Sequence, residues 1–86
     1  MAIDLEKYGT DRFLCIHLPM YNYSVALARI LDNMGRKWVS GQSYTENNKW
    51  NVYKTNTVYL INKGTYANVR WARAMRFKII EWSDLT

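Results

Sequence analysis

The sequence is poor in the residues that most often carry covalent or metal chemistry: its 86 residues include one cysteine and one histidine. The single cysteine, Cys15, excludes a disulfide within the chain and is typical of a reducing compartment. One Cys and one His are also too few for a metal site without carboxylates whose positions the sequence does not indicate. We therefore expect neither a metal nor another cofactor.

Long hydrophobic runs are missing as well. The longest apolar stretch is far shorter than the ~20 residues needed to cross a bilayer. The first residues, MAIDLEKYG, are polar and acidic, unlike a signal peptide. These features predict a cytoplasmic protein that does not insert into membranes. The glycine spacings match neither a phosphate-binding loop nor a dinucleotide fingerprint.

Catalysis has little support in this sequence. Cys15 and His17 lie two apart in the stretch FLCIHL, so their side chains share one face of a predicted strand. A Cys–His nucleophile also needs an orienting group and an oxyanion site, and no third partner stands at a recognisable spacing. We interpret the pair as a buried thiol and a hydrogen-bonded histidine, and we expect that the protein is not an enzyme.

Acidic residues are few, because seven Asp and Glu stand against twelve Lys and Arg, which gives a formal net charge of +5. From Arg29 onward there are ten cations and four acids, so that part nets +6. This asymmetry favours an anionic partner. Aromatic residues are abundant, with seven Tyr, four Trp and two Phe. One small core cannot hide all of them, and exposed aromatics beside cations are typical of surfaces that bind single-stranded nucleic acid.

Hydrophobic periodicity predicts a single domain over residues 1–86 and the α+β class. Strands are expected at residues 13–18, 36–40, 57–61 and 77–82, and helices at 23–34 and 66–75. Asn22 or Ser24 is the expected N-cap of the first helix, and Gly35 is expected to end it. Trp38 is expected to point inward.

The predicted order β-α-β-β-α-β favours a four-stranded, largely antiparallel sheet with both helices on one face. The second helix is open to another interpretation. Tyr66, Asn68 and Arg70 also alternate, so a strand that extends a hairpin from Thr57 is the alternative for that segment.

Cations and aromatics alternate most densely in residues 62–78, which contain no acid. A helix over residues 66–75 would place arginines three apart on one surface and turn Val69, Ala72 and Met75 to the core. The guanidinium fork suits phosphate, and an aromatic ring beside it suits stacking on a base. The predicted RNA-binding residues are Lys63, Arg70, Trp71, Arg73, Arg76 and Lys78. A solvated helix face is the competing interpretation.

Three motifs carry a resemblance: Gly35, Trp38 and Gly41; then Tyr59, Asn62 and Lys63; then the run IIEWSDL at residues 79–85. Their spacing resembles that of small phage and prophage accessory proteins, in particular the TifA-like RNA-binding inhibitors of the ToxN endoribonuclease toxin. The resemblance implies a phage anti-defence protein in the host-cell cytoplasm. It also implies that the protein inhibits a host toxin–antitoxin endoribonuclease by binding, with RNA as partner and without catalysis.

Two alternatives stay open beside RNA binding without strong sequence specificity. The protein would act either as a sponge that sequesters a nucleotide-derived immune signal or as a protein–protein inhibitor without nucleic acid. A homodimer is expected in each case, because the aromatic surface exceeds what one core can hide and one sheet edge is expected to be free.

Overall fold

The computed structural model describes Leu5 and residues 8–85. The strands are β1 (Cys15–His17), β2 (Thr57–Leu60), β3 (Thr65–Asn68) and β4 (Ile79–Glu81). The helices are α1 (Tyr21–Asn33), α2 (Trp50–Tyr53), α3 (Val69–Ala74) and α4 (Trp82–Leu85), and a 3-10 turn covers Lys54–Asn56. The predicted α+β class is confirmed. Among the residues described, no helix is long and apolar enough to cross a bilayer.

The four strands form one mixed sheet in the order β3-β2-β1-β4. β2 is antiparallel to both of its neighbours, whereas β4 is parallel to β1, with Cys15 opposite Ile79. The predicted antiparallel pairing therefore holds for two of the three strand pairs. The parallel pair arises because α3 carries the chain across the sheet, so that β4 runs in the same direction as β3 and β1.

Side-chain alternation gives the sheet two buried faces. On the first face, Ile16, Tyr59 and Ile80 pack with Leu27 and Leu31 of α1. On the second face, residues of β1 and β2 pack with α3; the cluster there comprises Cys15, Val58, Leu60, Val69 and Ala72. The prediction of both helices on one face is therefore wrong. The central strands are apolar on both sides, so each face requires its own cover.

Helix α1 begins at Tyr21, two residues earlier than predicted, and the expected N-cap is wrong. Its N-cap is Met20, which makes no side-chain capping bond. Ser24 is buried inside the helix, where its hydroxyl donates to the Tyr21 carbonyl at 2.6 Å and accepts from the Asn48 amide at 3.0 Å. Gly35 follows the helix in the left-handed region (φ +77°), as predicted.

Residues 36–40 do not form the predicted strand. The Trp38 N–H donates to the Gln42 carbonyl and the Gly41 N–H donates to the Trp38 carbonyl, so the chain turns back within five residues. The inward position of Trp38 is confirmed: it is 5 % exposed and packs against Tyr44 and Tyr59 at centroid distances of 4.3 and 5.0 Å. The fourth strand of the sheet is β3 instead.

Asp32 holds the segment that follows this turn. Its carboxylate accepts hydrogen bonds from the backbone N–H groups of Tyr44 and Thr45 and from the Thr45 hydroxyl. Desolvation opposes the charged form, but these hydrogen bonds outweigh it and lower the pKa of Asp32. The segment is thus tied to the C-terminal end of α1.

The turn at residues 38–42 rests on Gly64, which lies between β2 and β3. The Val39 N–H donates to the Gly64 carbonyl at 2.9 Å, and Gly64 has φ +79°. A Cβ atom on Gly64 would lie 2.8 Å from the Val39 nitrogen and 3.3 Å from the Lys37 carbonyl oxygen. Glycine is therefore required both by the left-handed conformation and by the close approach of two backbones.

We predict that Gly64→Ala destabilises the fold more than Gly35→Ala does. Both variants place a side chain at nearly the same positive φ, which costs roughly 1–2 kcal/mol. Only Gly64→Ala adds a clash with neighbouring backbone, since a Cβ on Gly35 meets nothing within 4 Å. The clash should add about 1–3 kcal/mol to the loss in free energy of unfolding. Equal losses in urea denaturation of the two variants would contradict the prediction.

Candidate nucleic-acid interface

The basic segment predicted as one helix divides into a strand and a shorter helix. Its first part pairs with β2, with Tyr66 opposite Tyr59. Asn68 then caps α3, because its side-chain oxygen accepts the Arg70 N–H at 2.8 Å. The prediction of helix at residues 66–68 is therefore wrong, and the strand alternative is correct for those residues.

Helix α3 is attached to the second sheet face by only two side chains. Val69 and Ala72 lie three residues apart and are buried in that face. Met75 was predicted to join them but is 53 % exposed. The reason is that α3 ends at Ala74 and Met75 forms its C-cap.

Arg70 and Arg73 lie three apart on the exposed side of α3, as predicted. Arg76 is also exposed, but it follows the helix in the left-handed region (φ +60°) and does not continue the helical row. Among the described residues, the one ion pair joins His17 to Glu81. The three guanidinium groups thus have no carboxylate partner in that part of the chain.

Aromatic rings lie beside these arginines. Phe13 stacks on Phe77 at a centroid distance of 4.7 Å and an interplanar angle of 24°, and Trp71 meets Phe77 edge-on at 5.1 Å. Phe77 packs against the buried cluster, whereas Phe13 and Trp71 are 44 % and 48 % exposed. We define the α3 surface as Phe13, Arg70, Trp71, Arg73, Arg76 and Phe77.

Phe13 is the member of this surface that the sequence did not indicate. In the parallel pairing of β1 and β4, Cys15 lies opposite Ile79. Phe13 stands two residues before Cys15, and Phe77 stands two residues before Ile79. That register places the two rings side by side. The alternation of FLCIHL shows only that Phe13 shares a face with Cys15, and it contains no information about the register between strands.

Two of the predicted RNA-binding residues lie elsewhere. Lys63 is exposed in the turn at the opposite end of β3 from α3, roughly 13 Å away along the strand. The Lys78 ammonium lies 5.9 Å from the centre of the Tyr8 ring, which packs against the first face. The structure therefore brings together Arg70, Trp71, Arg73 and Arg76 and separates them from both lysines.

Cys15 and His17 have the structural environments that the sequence predicted. Cys15 is fully buried, its thiol donates to the Phe13 carbonyl at 3.4 Å, and burial raises its pKa to about 11. His17 bridges two elements: Nδ1 lies 2.7 Å from Glu81 Oε1 on β4, and Nε2 lies 2.8 Å from the Thr55 carbonyl in the 3-10 turn. The carbonyl can only accept, so Nε2 carries a hydrogen.

We predict that Cys15→Ser lowers stability and leaves ligand binding by the α3 surface within a few fold. The new hydroxyl would stand in an apolar cluster, at a cost of about 1–3 kcal/mol in the free energy of unfolding. Urea denaturation measures the cost, and RNA titration of the folded variant measures binding. A folded variant without binding would instead assign Cys15 a direct role.

The raised pKa of the Cys15 thiol predicts that the free energy of unfolding depends on pH in the alkaline range. The folded pKa of about 11 lies above the ordinary value of 9.0, so the protonated form is favoured in the fold. This contribution to stability is complete below pH 9 and is lost as the pH rises toward 11. Between these pH values the parent should therefore lose more stability than Cys15→Ser does. Parallel losses in the two proteins would show that Cys15 makes no such contribution.

Within the described part of the chain, no group of three His, Cys, Asp or Glu side chains could hold a metal ion. Comparison with protein-family models, curated proteins and solved structures yields no match to the chain. The resemblance to phage inhibitors therefore stays a prediction.

Proposed function

We propose that this protein binds single-stranded RNA through the α3 surface, without strong sequence specificity. The observation that carries the proposal is the position of two half-exposed aromatic rings, Phe13 and Trp71, beside three exposed arginines with no carboxylate partner among the described residues. Guanidinium groups bind phosphate, and exposed rings stack on bases. Neither contact reads base edges, which accounts for the expected lack of specificity.

The two kinds of contact differ in their response to salt. Phosphate contacts release counterions, with a slope in log K of roughly 0.7 per contact for single strands. If each of the three arginines neutralises one phosphate, a fourfold rise in salt should weaken binding by about twentyfold. Stacking on Trp71 or Phe13 contributes about 1–3 kcal/mol per base and depends much less on salt.

The decisive variant is Arg70→Ala with Arg73→Ala. Both side chains are exposed and are not hydrogen-bonded within the described residues, so the variant should fold with a near-normal melting temperature. We expect weaker binding to an unstructured RNA and a salt slope that is smaller by about 1.4. Titrations at several salt concentrations measure both quantities.

A matched control removes two other exposed cations, Arg29→Ala with Lys37→Ala, and thereby makes the same change in net charge. The control should bind nearly as tightly as the parent at moderate salt. If both double variants weaken RNA binding equally, only overall charge matters. If neither does, the arginines of α3 form a solvated face and the proposal fails.

The resemblance to phage inhibitors extends this proposal to a role in the host cell. A protein that binds RNA without specificity would hold a host endoribonuclease toxin on a shared RNA and keep it inactive. Support for this step comes from the sequence motifs alone. Pull-down of the toxin with and without ribonuclease treatment tests it, because an RNA-mediated complex disappears after treatment whereas a direct protein complex persists.

We also propose that the protein is a homodimer. β3 and β4 are the edge strands of the sheet, and large apolar residues outside the α3 surface, among them Met20 and Met34, are exposed. Edge strands and exposed apolar residues are common at self-association surfaces. Light scattering at high micromolar concentration should give twice the chain mass of 10.2 kDa. A monomer under those conditions would contradict the proposal.

A further inference from the structure

A groove of about 530 Å³ opens beside the edge strand β3, away from the exposed arginines of α3. One wall is formed by Tyr53 and Tyr66, and the other by the turn at residues 38–42. Val39 and Gly64 also line the groove, and the Val39 N–H donates to the Gly64 carbonyl there. This volume lies within the range of about 300–1,000 Å³ that is usual for small-molecule sites.

The buried Trp38 supports the aromatic wall of the groove. Tyr66 meets the buried Trp38 edge-on at a centroid distance of 5.9 Å. Tyr53 lies 6.0 Å from Tyr66 with a 50° angle between the rings, and it is 38 % exposed. The two rings therefore form a wedge, and Tyr66 rests on the buried Trp38. A flat aromatic group can stack on the exposed ring of such a pair.

Polar groups stand around this wedge. Lys49 lines the groove and is half-buried, and its ammonium has no carboxylate partner among the residues described. The Ser40 hydroxyl donates to the Gln42 side-chain oxygen at 3.4 Å, and the Gln42 amide N–H groups have no hydrogen-bond acceptor among the described residues. The groove thus combines a stacking surface, one cation and an amide at its rim.

We propose that this groove binds a single nucleotide unit, with the base stacked on Tyr53, beside Tyr66, and the phosphate paired with Lys49. A nucleotide has the two features that the groove can contact, a flat ring for the tyrosine and an anionic group for the lysine. The site is distinct from the α3 surface and does not depend on the function proposed for that surface.

The test is an NMR titration of the isotope-labelled protein with AMP, GMP, CMP and UMP. At least one of these should shift the signals of the groove residues in a saturable way, with a dissociation constant of about 1 mM or lower. Adenosine lacks the phosphate, and ribose 5-phosphate lacks the base. Each should bind at least tenfold more weakly than AMP, because each loses one of the two contacts.

Two variants test the assigned contacts. Tyr53→Ala should weaken mononucleotide binding by about tenfold or more, which is within the range measured for the loss of one stacking ring. Lys49→Gln should abolish the preference for AMP over adenosine. Tyr21→Ala is the matched control, since it removes another exposed tyrosine that does not line the groove. The amide spectrum of each variant shows that it remains folded.

The free and RNA-borne forms of the ligand can be told apart. If a short oligouridylate shifts the groove signals and competes with UMP, the groove accepts a base within RNA. If UMP shifts them and the oligomer does not, the groove accepts a free nucleotide. The Arg70→Ala, Arg73→Ala variant should keep its affinity for mononucleotide in either case, so failure of the RNA proposal leaves this one standing. The groove proposal is overturned if no mononucleotide saturates or if Tyr53→Ala binds as tightly as the parent.

Discussion

The structure depends on the burial of the central strands on both faces. β1 and β2 carry apolar side chains on each side, and exposing either side to water would cost roughly 25 cal/mol for every Å² of apolar surface. Helix α1, with 13 residues, covers the first face together with the segment that contains Trp38 and Tyr44. The second face is covered by α3, which has six residues and places only Val69 and Ala72 in the core.

The α3 surface follows from this unequal cover. The short helix α3 leaves the edge of the second face uncovered. Phe77 covers part of this edge, where it packs against the buried cluster. Phe13 stacks on Phe77 from outside, and Trp71 contacts its edge, so both rings are half in water. The exposed side of the same short helix carries Arg70 and Arg73, and Arg76 follows its end. Aromatic rings and cations therefore lie side by side because the helix that covers the second face is short.

The groove beside β3 has a different origin. The chain between α1 and α2 has no regular structure and is held by side-chain hydrogen bonds, from Asp32 at one end and from Asn48 to Ser24 at the other. The backbone of its tight turn approaches that of the hairpin at Gly64, where the Val39 N–H donates to the Gly64 carbonyl. The space between the two segments is the groove. The groove and the α3 surface thus lie on separate parts of one sheet, so each can be altered without the other.

His17 connects the parts of the fold that helices do not cover. Its ring contacts Glu81 on the edge strand β4 and the Thr55 carbonyl before β2. Because the ring links β4 to the 3-10 turn that precedes β2, it holds both neighbours of β1 in place. These contacts give the histidine a structural role.

The sequence by itself determined the local features: the α+β class, the main course of α1, the inward Trp38, the buried thiol and the exposure of Arg70 and Arg73. Each of these depends on residue type and spacing within about one turn or one strand. Tertiary structure decided the rest, because it depends on pairing between distant segments. Pairing with β2 made residues 65–68 a strand, and the contact with Gly64 made residues 38–42 a turn. The parallel register of β1 and β4 brought Phe13 to Phe77, and the need to cover two faces placed the helices on opposite sides of the sheet.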